Sequence, residues 1–265
     1  MDLTRILLPL AFGLYLIAFT LYLLHFKGRQ TSVAKGAFWS IVAAFALQSF
    51  ILGQRWISAG YLPVTNLFST LFFFSWALAA VYLYFELRYR IRAIGLFVIF
   101  LNLLLLGAAL SRDPVLKPLI ASLDTPLFTL HIVFSFFGYA FFAMAFSLGV
   151  LYLLQRIIDT PALPDLYTLR RLNEEAIFLG FILFTLCMIF GSIWAYVAWG
   201  YYISWNIKSV WSLVVWLFYG GMCHAKFIRR WQGGVYAGLS IAGFAIVLFT
   251  YLGIGLLLSS NHPLD

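Results

Sequence analysis

The chain has 265 residues, of which 64% are hydrophobic and only 10% are charged. Soluble domains contain about 25% charged residues, so this chain could not cover its own surface in water. The composition therefore indicates an integral membrane protein and excludes a soluble enzyme, a disordered regulator and a disulfide scaffold. We assign the net charge of +8 to loops that hold the membrane topology, and not to nucleic-acid binding.

Continuous apolar runs of about 20 residues predict eight membrane-spanning helices. The runs cover approximately residues 6–26, 36–53, 66–87, 93–110, 127–154, 176–197, 209–227 and 234–258. Strands of an outer-membrane barrel alternate apolar and polar residues, and these runs do not. The sequence therefore predicts an all-α polytopic helix bundle in the lipid bilayer, with residues 1–265 forming a single membrane domain.

Lysines and arginines are unevenly divided between the two sets of loops. Twelve lie in the loops that follow the first, third, fifth and seventh spans, and the other five are Arg5, Arg55, Arg112, Lys117 and Lys208. Because cytoplasmic loops carry an excess of positive charge, we expect the larger set in the cytoplasm and both termini outside. The expected location is the bacterial cytoplasmic membrane.

Two other polar features are interpreted as structural. Cys187 and Cys223 lie in apolar runs and form no CxxC pair, so we expect small buried side chains and no dithiol chemistry. Glu86 lies two residues before Arg88, and we expect these two residues to form an ion pair at the inner membrane surface.

The four histidines divide evenly between the two membrane faces. His25 and His224 lie near the inner ends of the first and seventh spans, whereas His131 and His262 lie near the outer face. A haem iron accepts two axial ligands, and imidazole is a common choice. Two histidines at one depth on different helices can supply such a pair, and ionisable groups inside a membrane are expensive unless they have a function.

An outer loop between the sixth and seventh spans concentrates the aromatic residues. Residues 194–211 hold four of the nine tryptophans, namely Trp194, Trp199, Trp205 and Trp211, together with three tyrosines. One or two tryptophans would suit an interfacial belt, but four exceed what anchoring requires. Broad aromatic faces suit a flat ligand such as a porphyrin, and Gly200 would let the backbone approach it. Lys208 could meet a haem propionate or could be a solvated loop lysine.

These residues resemble the cytochrome c assembly family of haem-handling membrane proteins, and in particular its CcsA (ResC) branch. The segment WGYYISWNIKSVWSLVVWLFYGGMCH, residues 199–224, resembles the tryptophan-rich motif of that family. Residues 130–140 resemble its first external histidine segment, and FTYLGIGLLLSSNH, residues 249–262, resembles its last helix and second external histidine. Residues 63–67 resemble the opening of an early helix in the branch.

The resemblance implies specific ligands and partners. It implies that His131 and His262 ligate haem, as haem b, at the outer face and that residues 199–211 cradle it there. His224 resembles the intramembrane histidine, whose fellow ligand in this branch can come from a CcsB (ResB) type partner subunit. His25 has a suitable depth to pair with His224, which is our own inference. Apocytochrome c is the implied client, and a thioredoxin-like protein that reduces its thiols is an indirect partner.

The chain also departs from the family motif. The usual Trp-Asp followed by Pro-Lys-Glu is Trp205-Asn206 followed by Ile207-Lys208-Ser209, and a usual tryptophan is Ile203. Haem binding could survive these changes, whereas haem-lyase (synthase) activity together with a partner subunit is less secure. The leading hypothesis is delivery of haem to the CxxCH thiols of apocytochrome c.

Three other functions are weighed against haem delivery. A di-haem cytochrome b subunit fits the number of histidines, but such subunits place two ligands on one helix and no span here holds two. A regulator of haem biosynthesis would explain the missing acids. A solute transporter has less support because no inverted repeat or broken-helix pair is evident.

Overall fold

The computed structural model describes residues 3–28 and 30–253, and within these residues the regular structure is entirely helical. Eight α-helices follow one another: α1 Leu3–Gly28, α2 Thr31–Ala59, α3 Leu67–Tyr89, α4 Ala93–Leu110, α5 Pro126–Ile158, α6 Leu166–Trp199, α7 Ile207–Ala225 and α8 Gly234–Leu248, which continues into a π-helical turn Phe249–Gly253. Seven of these segments are long and apolar enough to cross a membrane. The predicted all-α, multi-pass membrane fold is confirmed. The orientation of the termini and the single-domain organisation stay predictions.

The seventh predicted span differs from the other seven. Helix α7 exists close to its expected limits, but it is not among the segments apolar enough to cross a membrane by composition alone. It carries Lys208 in its first turn, His224 in its last, and the pair Gly220 and Gly221 between them.

Helix α6 begins ten residues before the predicted span. The apolar run starts near residue 176, whereas the helix starts at Leu166 because Asp165 caps it. The Asp165 carboxylate accepts a hydrogen bond of 2.9 Å from the Thr168 backbone N–H and one of 2.7 Å from the Thr168 hydroxyl. These bonds lower the pKa of Asp165 below its ordinary value of 3.8. The hydrophobic pattern identifies the part of a helix that lies in lipid, whereas the capping residue identifies where the helix begins.

The first compact unit comprises Met1–Leu119 and Thr160–Pro164. In it α1 contacts α2 and α4, and α3 contacts the same two helices, so the four helices form a closed ring. Arg55 is 4% exposed and donates a 2.8 Å hydrogen bond to the Pro114 carbonyl, which ties the loop after α4 to α2. Asn66 caps α3 through Ser69 N–H and also donates to the Val115 carbonyl at 2.8 Å.

The expected ion pair between Glu86 and Arg88 is wrong. Glu86 is only 6% exposed, and one of its carboxylate oxygens accepts hydrogen bonds from the hydroxyls of Tyr22, at 2.7 Å, and Tyr82. Its other oxygen lies 4.0 Å from Nε of Arg92. Residues two apart on a helix point in different directions, which is why Glu86 turns inward while Arg88 lies at the surface.

The second compact unit comprises Ile120–Asp159 and Asp165–Asp265, of which the structure describes residues up to 253. Helix α5 packs along α6 and α8, and α7 contacts α6 and α8. Thr125 and Pro126 begin α5, with the Thr125 hydroxyl accepting from the Phe128 N–H at 3.2 Å. His131 is therefore on the second turn of α5, close to its amino end. His262 lies outside the described residues.

Candidate functional site

The His131 imidazole is wedged between α5 and α6. Its Nδ1 lies 2.9 Å from the Cys187 carbonyl oxygen, and its ring stacks on the indole of Trp194 with centroids 6.2 Å apart and planes inclined by 21°. Gly191 lies between these two contacts. A Cβ built on Gly191 would be 2.8 Å from Cε1 of His131 and nearer still to Nδ1. The glycine thus leaves the space that the imidazole fills.

All three described histidines hold Nδ1 against a backbone carbonyl. The partners are the carbonyl of Gln30 at 2.9 Å for His25, of Cys187 at 2.9 Å for His131, and of Gly220 at 2.8 Å for His224. A carbonyl oxygen only accepts hydrogen bonds, so Nδ1 carries the proton in each neutral imidazole. The lone pair is then on Nε2, and an Nδ1–H bonded in this way orients a histidine that ligates a metal.

An aromatic cluster surrounds Trp194 next to His131. Trp194 is 4% exposed, and its Nε1 donates a 2.8 Å hydrogen bond to the Ser122 carbonyl. The Phe128 ring lies 5.0 Å from the Trp194 ring, and the Trp199 ring lies 4.7 Å from it in an edge-to-face arrangement. Trp194 therefore connects His131 to the beginning of the tryptophan-rich loop.

The loop after α6 turns at Gly200 and presents exposed aromatic rings. Gly200 has φ of 81°, the left-handed conformation that ends a helix, and its N–H donates to the Tyr196 carbonyl at 2.8 Å. The Tyr202 ring then stacks on Tyr196 with centroids 4.4 Å apart and planes within 8°. Trp205 is 75% exposed. The turn leaves broad ring faces at the surface, available to a flat partner.

Asn206, which follows the exposed Trp205, caps α7. Its side-chain oxygen accepts a 2.9 Å hydrogen bond from the Ser209 N–H, and its amide group donates to the Ser204 hydroxyl at 2.9 Å. Asparagine and aspartate cap helices about equally well, so the amide preserves the local backbone. Lys208 is half-buried in the first turn that follows. The amino end of a helix and a lysine both favour an anion at this position.

The predicted outer-site residues are brought together only in part. Trp199 reaches His131 through Trp194, whereas Trp211 packs against Phe249 with ring centroids 4.6 Å apart. The place of His262 relative to His131 is not covered by the described residues. His25 belongs to the first unit and His224 to the second, on the last turns of α1 and α7, so their pairing stays a prediction.

The sequence did not predict that two residues, Cys187 and Gly191, would position His131. Cys187 supplies its carbonyl and Gly191 supplies the gap, while Trp194 was noted only as part of the aromatic segment. The three are spaced i, i+4 and i+7 along α6, which places them on one helix face. That spacing, with a glycine between two larger residues, is the signal that could have identified a face built to receive a ring.

The donor set suits a porphyrin-bound iron better than a bare metal ion. Within residues 3–28 and 30–253 no group of three or more His, Cys, Asp or Glu side chains could hold a metal ion. Haem needs only one or two axial ligands from the protein, because the ring supplies the other four. His131 offers one Nε2 beside the aromatic rings of Trp194 and Trp199, which fits that requirement.

Comparisons with known proteins identify the family of the chain. Residues 64–262 match the family described as cytochrome C assembly protein. The cytochrome c biogenesis protein CcsA of Trieres chinensis is 32% identical, over 96% of this chain and 94% of the relative, and the protein of the same name from Microcystis aeruginosa is 29% identical over 80% and 82%. The fold resembles that of the cytochrome c heme lyase CcmF, with a TM-score of 0.72 at 15% identity, over 94% of this chain but only 46% of that one. The chain therefore belongs to the cytochrome c assembly protein family and is of the CcsA type.

Proposed function

We propose that the chain works in the maturation of c-type cytochromes and presents haem, its substrate, to apocytochrome c at the outer membrane face. The relatives named for cytochrome c biogenesis support the process. The observation that supports the haem assignment is the His131 imidazole, whose Nδ1 is held by the Cys187 carbonyl and whose ring stacks on Trp194. Nε2 is the nitrogen that would ligate the iron. His262 is the proposed second ligand, on the resemblance of residues 249–262 to the family.

Each described residue at the outer site has a distinct task in this proposal. Trp194 fixes the plane of the imidazole, and Trp199 extends the aromatic surface toward the loop. Gly200 turns the chain so that the exposed rings, including Trp205, face a flat substrate. Lys208 attracts a propionate. Together these groups bind and orient haem, and positioning alone can supply a large part of a rate gain.

The attachment reaction needs reduced thiols on the client. Each thioether forms when a cysteine S–H adds across a vinyl C=C: sulfur bonds to one carbon and hydrogen to the other, so no oxidant is consumed. A thioredoxin-like protein that keeps the CxxCH thiols reduced is consequently an indirect partner. The proposal includes a CcsB-type partner subunit as the second component of the lyase activity.

For the inner face, the proposal names His224 as one haem ligand. The second ligand is either His25 or a residue of the CcsB-type subunit. His224 is exposed and His25 half-buried, each with Nδ1 engaged by a carbonyl. Haem held here is b-type, and the proposed location is the bacterial cytoplasmic membrane or an equivalent membrane.

Absorption spectroscopy of the purified protein tests the proposal. Wild type is compared with His131→Gly and His224→Gly, each with and without added imidazole. Free imidazole can replace the deleted side chain as a ligand but cannot restore a misfolded protein. We expect each variant to lose a separate haem component, imidazole to restore it, and His131→Gly to stop cytochrome c maturation in cells. Absence of bound haem in wild type, or maturation that survives His131→Gly, would refute it. Rapid reduction of two haems by quinol would favour a cytochrome b subunit instead.

A further inference from the structure

The first unit contains a cavity of about 210 Å³ that the outer site does not use. It lies at the carboxyl end of α1 and the amino end of α4. Pro161 and Ala162, from a loop segment that belongs to this unit, form part of its wall. The walls combine charged, aromatic and aliphatic side chains: Tyr22, His25, Phe26, Arg92, Ala93, Leu96, Pro161 and Ala162. None of the lining residues is acidic.

Arg92 gives the cavity its charge. Its Nη1 donates to the Thr31 carbonyl at 3.4 Å and its Nε lies 4.0 Å from Glu86, and both contacts are long. Guanidinium has five N–H donors in a fork that matches a phosphate or a carboxylate. Arg92 directly precedes α4, and Ala93 is the first residue of that helix, so the partial positive charge of the helix end adds to the guanidinium.

Glu86 is held away from the cavity by two tyrosines. Its Oε2 accepts from the hydroxyls of Tyr22 and Tyr82, and these hydroxyls lie 2.5 Å from each other. Gly95 makes room for the pair, since a Cβ built on it would be 2.7 Å from Cζ of Tyr22. One carboxylate oxygen therefore accepts the two tyrosine hydrogen bonds, and the other lies near only the Nε edge of Arg92. The rest of the guanidinium is left for a ligand.

The remaining walls are apolar. Phe26 and Leu96 are half-buried side chains of α1 and α4, and Pro161 and Ala162 come from the loop segment. A free inorganic anion would gain nothing from these surfaces, whereas an acidic group joined to an apolar body would contact both halves of the cavity. Basic pockets between helices on the cytoplasmic side of membrane proteins select head groups in this way.

We propose that this cavity binds the acidic head group, a phosphate or a carboxylate, of an amphiphile whose apolar part lies in the membrane. Two sources share that chemistry: the phosphate of an anionic lipid, and a carboxylate side chain of a porphyrin that arrives at the inner face next to His25. The porphyrin source rests on the proposed function, and the lipid source does not.

Thermal unfolding of the purified full-length chain, with increasing ligand, measures the binding. The probes are a short-chain phosphatidic acid, a phosphatidylcholine of the same chain length, metal-free protoporphyrin and inorganic phosphate. The variants are Arg92→Gln, Arg92→Lys and Ala162→Phe, which fills the cavity without removing charge. Arg90→Gln is the matched control, because Arg90 lies on the same loop but does not line the cavity.

We expect phosphatidic acid or protoporphyrin to stabilise wild type and Arg90→Gln. Affinity should fall about tenfold or more in Arg92→Gln, since a charge-assisted hydrogen bond is lost, and in Ala162→Phe, and Arg92→Lys should recover part of it. The probe that responds identifies the source. The proposal would be overturned if no probe stabilised the protein or if inorganic phosphate alone did so. It would also be overturned if phosphatidylcholine stabilised the protein as much as phosphatidic acid, or if Arg92→Gln were stabilised as much as wild type. Metal-free porphyrin carries no iron for His131, and Arg92→Gln leaves the outer-site residues unchanged. A loss of porphyrin binding in Arg92→Gln therefore reports on this cavity and not on the outer site.

Discussion

Replacing Gly191 with alanine tests the His131 site most directly. The new Cβ would lie 2.8 Å from Cε1 of His131, well inside van der Waals contact. The ring cannot move aside and keep its 2.9 Å hydrogen bond to the Cys187 carbonyl. Losing that bond costs about 0.5–1.5 kcal/mol and overpacking about 1–3 kcal/mol, so we expect unfolding to be easier by roughly 1.5–4.5 kcal/mol.

The same substitution should weaken haem binding more than stability alone explains. Removing the group that orients a metal-ligating histidine usually lowers metal affinity by about 10–100-fold. Haem titration of the purified protein, followed by absorption in a His224→Gly background, measures the outer component. Gly238→Ala in α8 is the matched control, because nothing lies within 4 Å of its added Cβ. If Gly191→Ala binds haem and unfolds as Gly238→Ala does, the packing argument is refuted.

Three further predictions concern other parts of the chain. Glu86→Leu should lower the free energy of unfolding by about 1–3 kcal/mol, because a buried acceptor shared by two tyrosines is lost; unchanged unfolding would contradict this network. Asn206→Ala should cost about 1 kcal/mol by removing the cap of α7, whereas Asn206→Asp should cost nothing in the same assay and tests whether an acid improves maturation. Asp165 has a lowered pKa, so the stability its carboxylate contributes is present above the unfolded pKa and is lost as pH falls through the folded one. The difference in unfolding temperature between wild type and Asp165→Asn should accordingly shrink on acidification, and a difference that grows would be inconsistent with the cap.

The apolar pattern predicted the helices well because lipid imposes one structure on any long apolar run. The pattern did not predict where a helix begins when a polar cap lies outside the apolar run, as Asp165 does.

The pattern missed the contacts of Glu86 for another reason. Its hydrogen-bond partner Tyr22 is 64 residues away in sequence, and only the packing of the helices in the first unit brings the two side chains together.

In the candidate site, too, the sequence predicted local features but not the contacts between helices. The depth of His131 follows from the length of its span, and the likeness of residues 199–224 to the family identified the aromatic loop. The contacts of His131 with Cys187 and Gly191 depend on the pairing of α5 with α6, which no local pattern encodes. Asn206 directly precedes a predicted helix, so the sequence could have identified it as a cap. It was interpreted only as the replacement of an acid.

The partners of the imidazoles are peptide carbonyls, and this makes the orientation of the rings robust to mutation. Substituting Cys187, Gln30 or Gly220 changes a side chain but leaves the accepting oxygen in place. Such an oxygen does not titrate either, so the direction of each ring is insensitive to the different acidity of the two compartments that the membrane separates. Relatives can therefore diverge at these acceptor positions without turning the imidazoles.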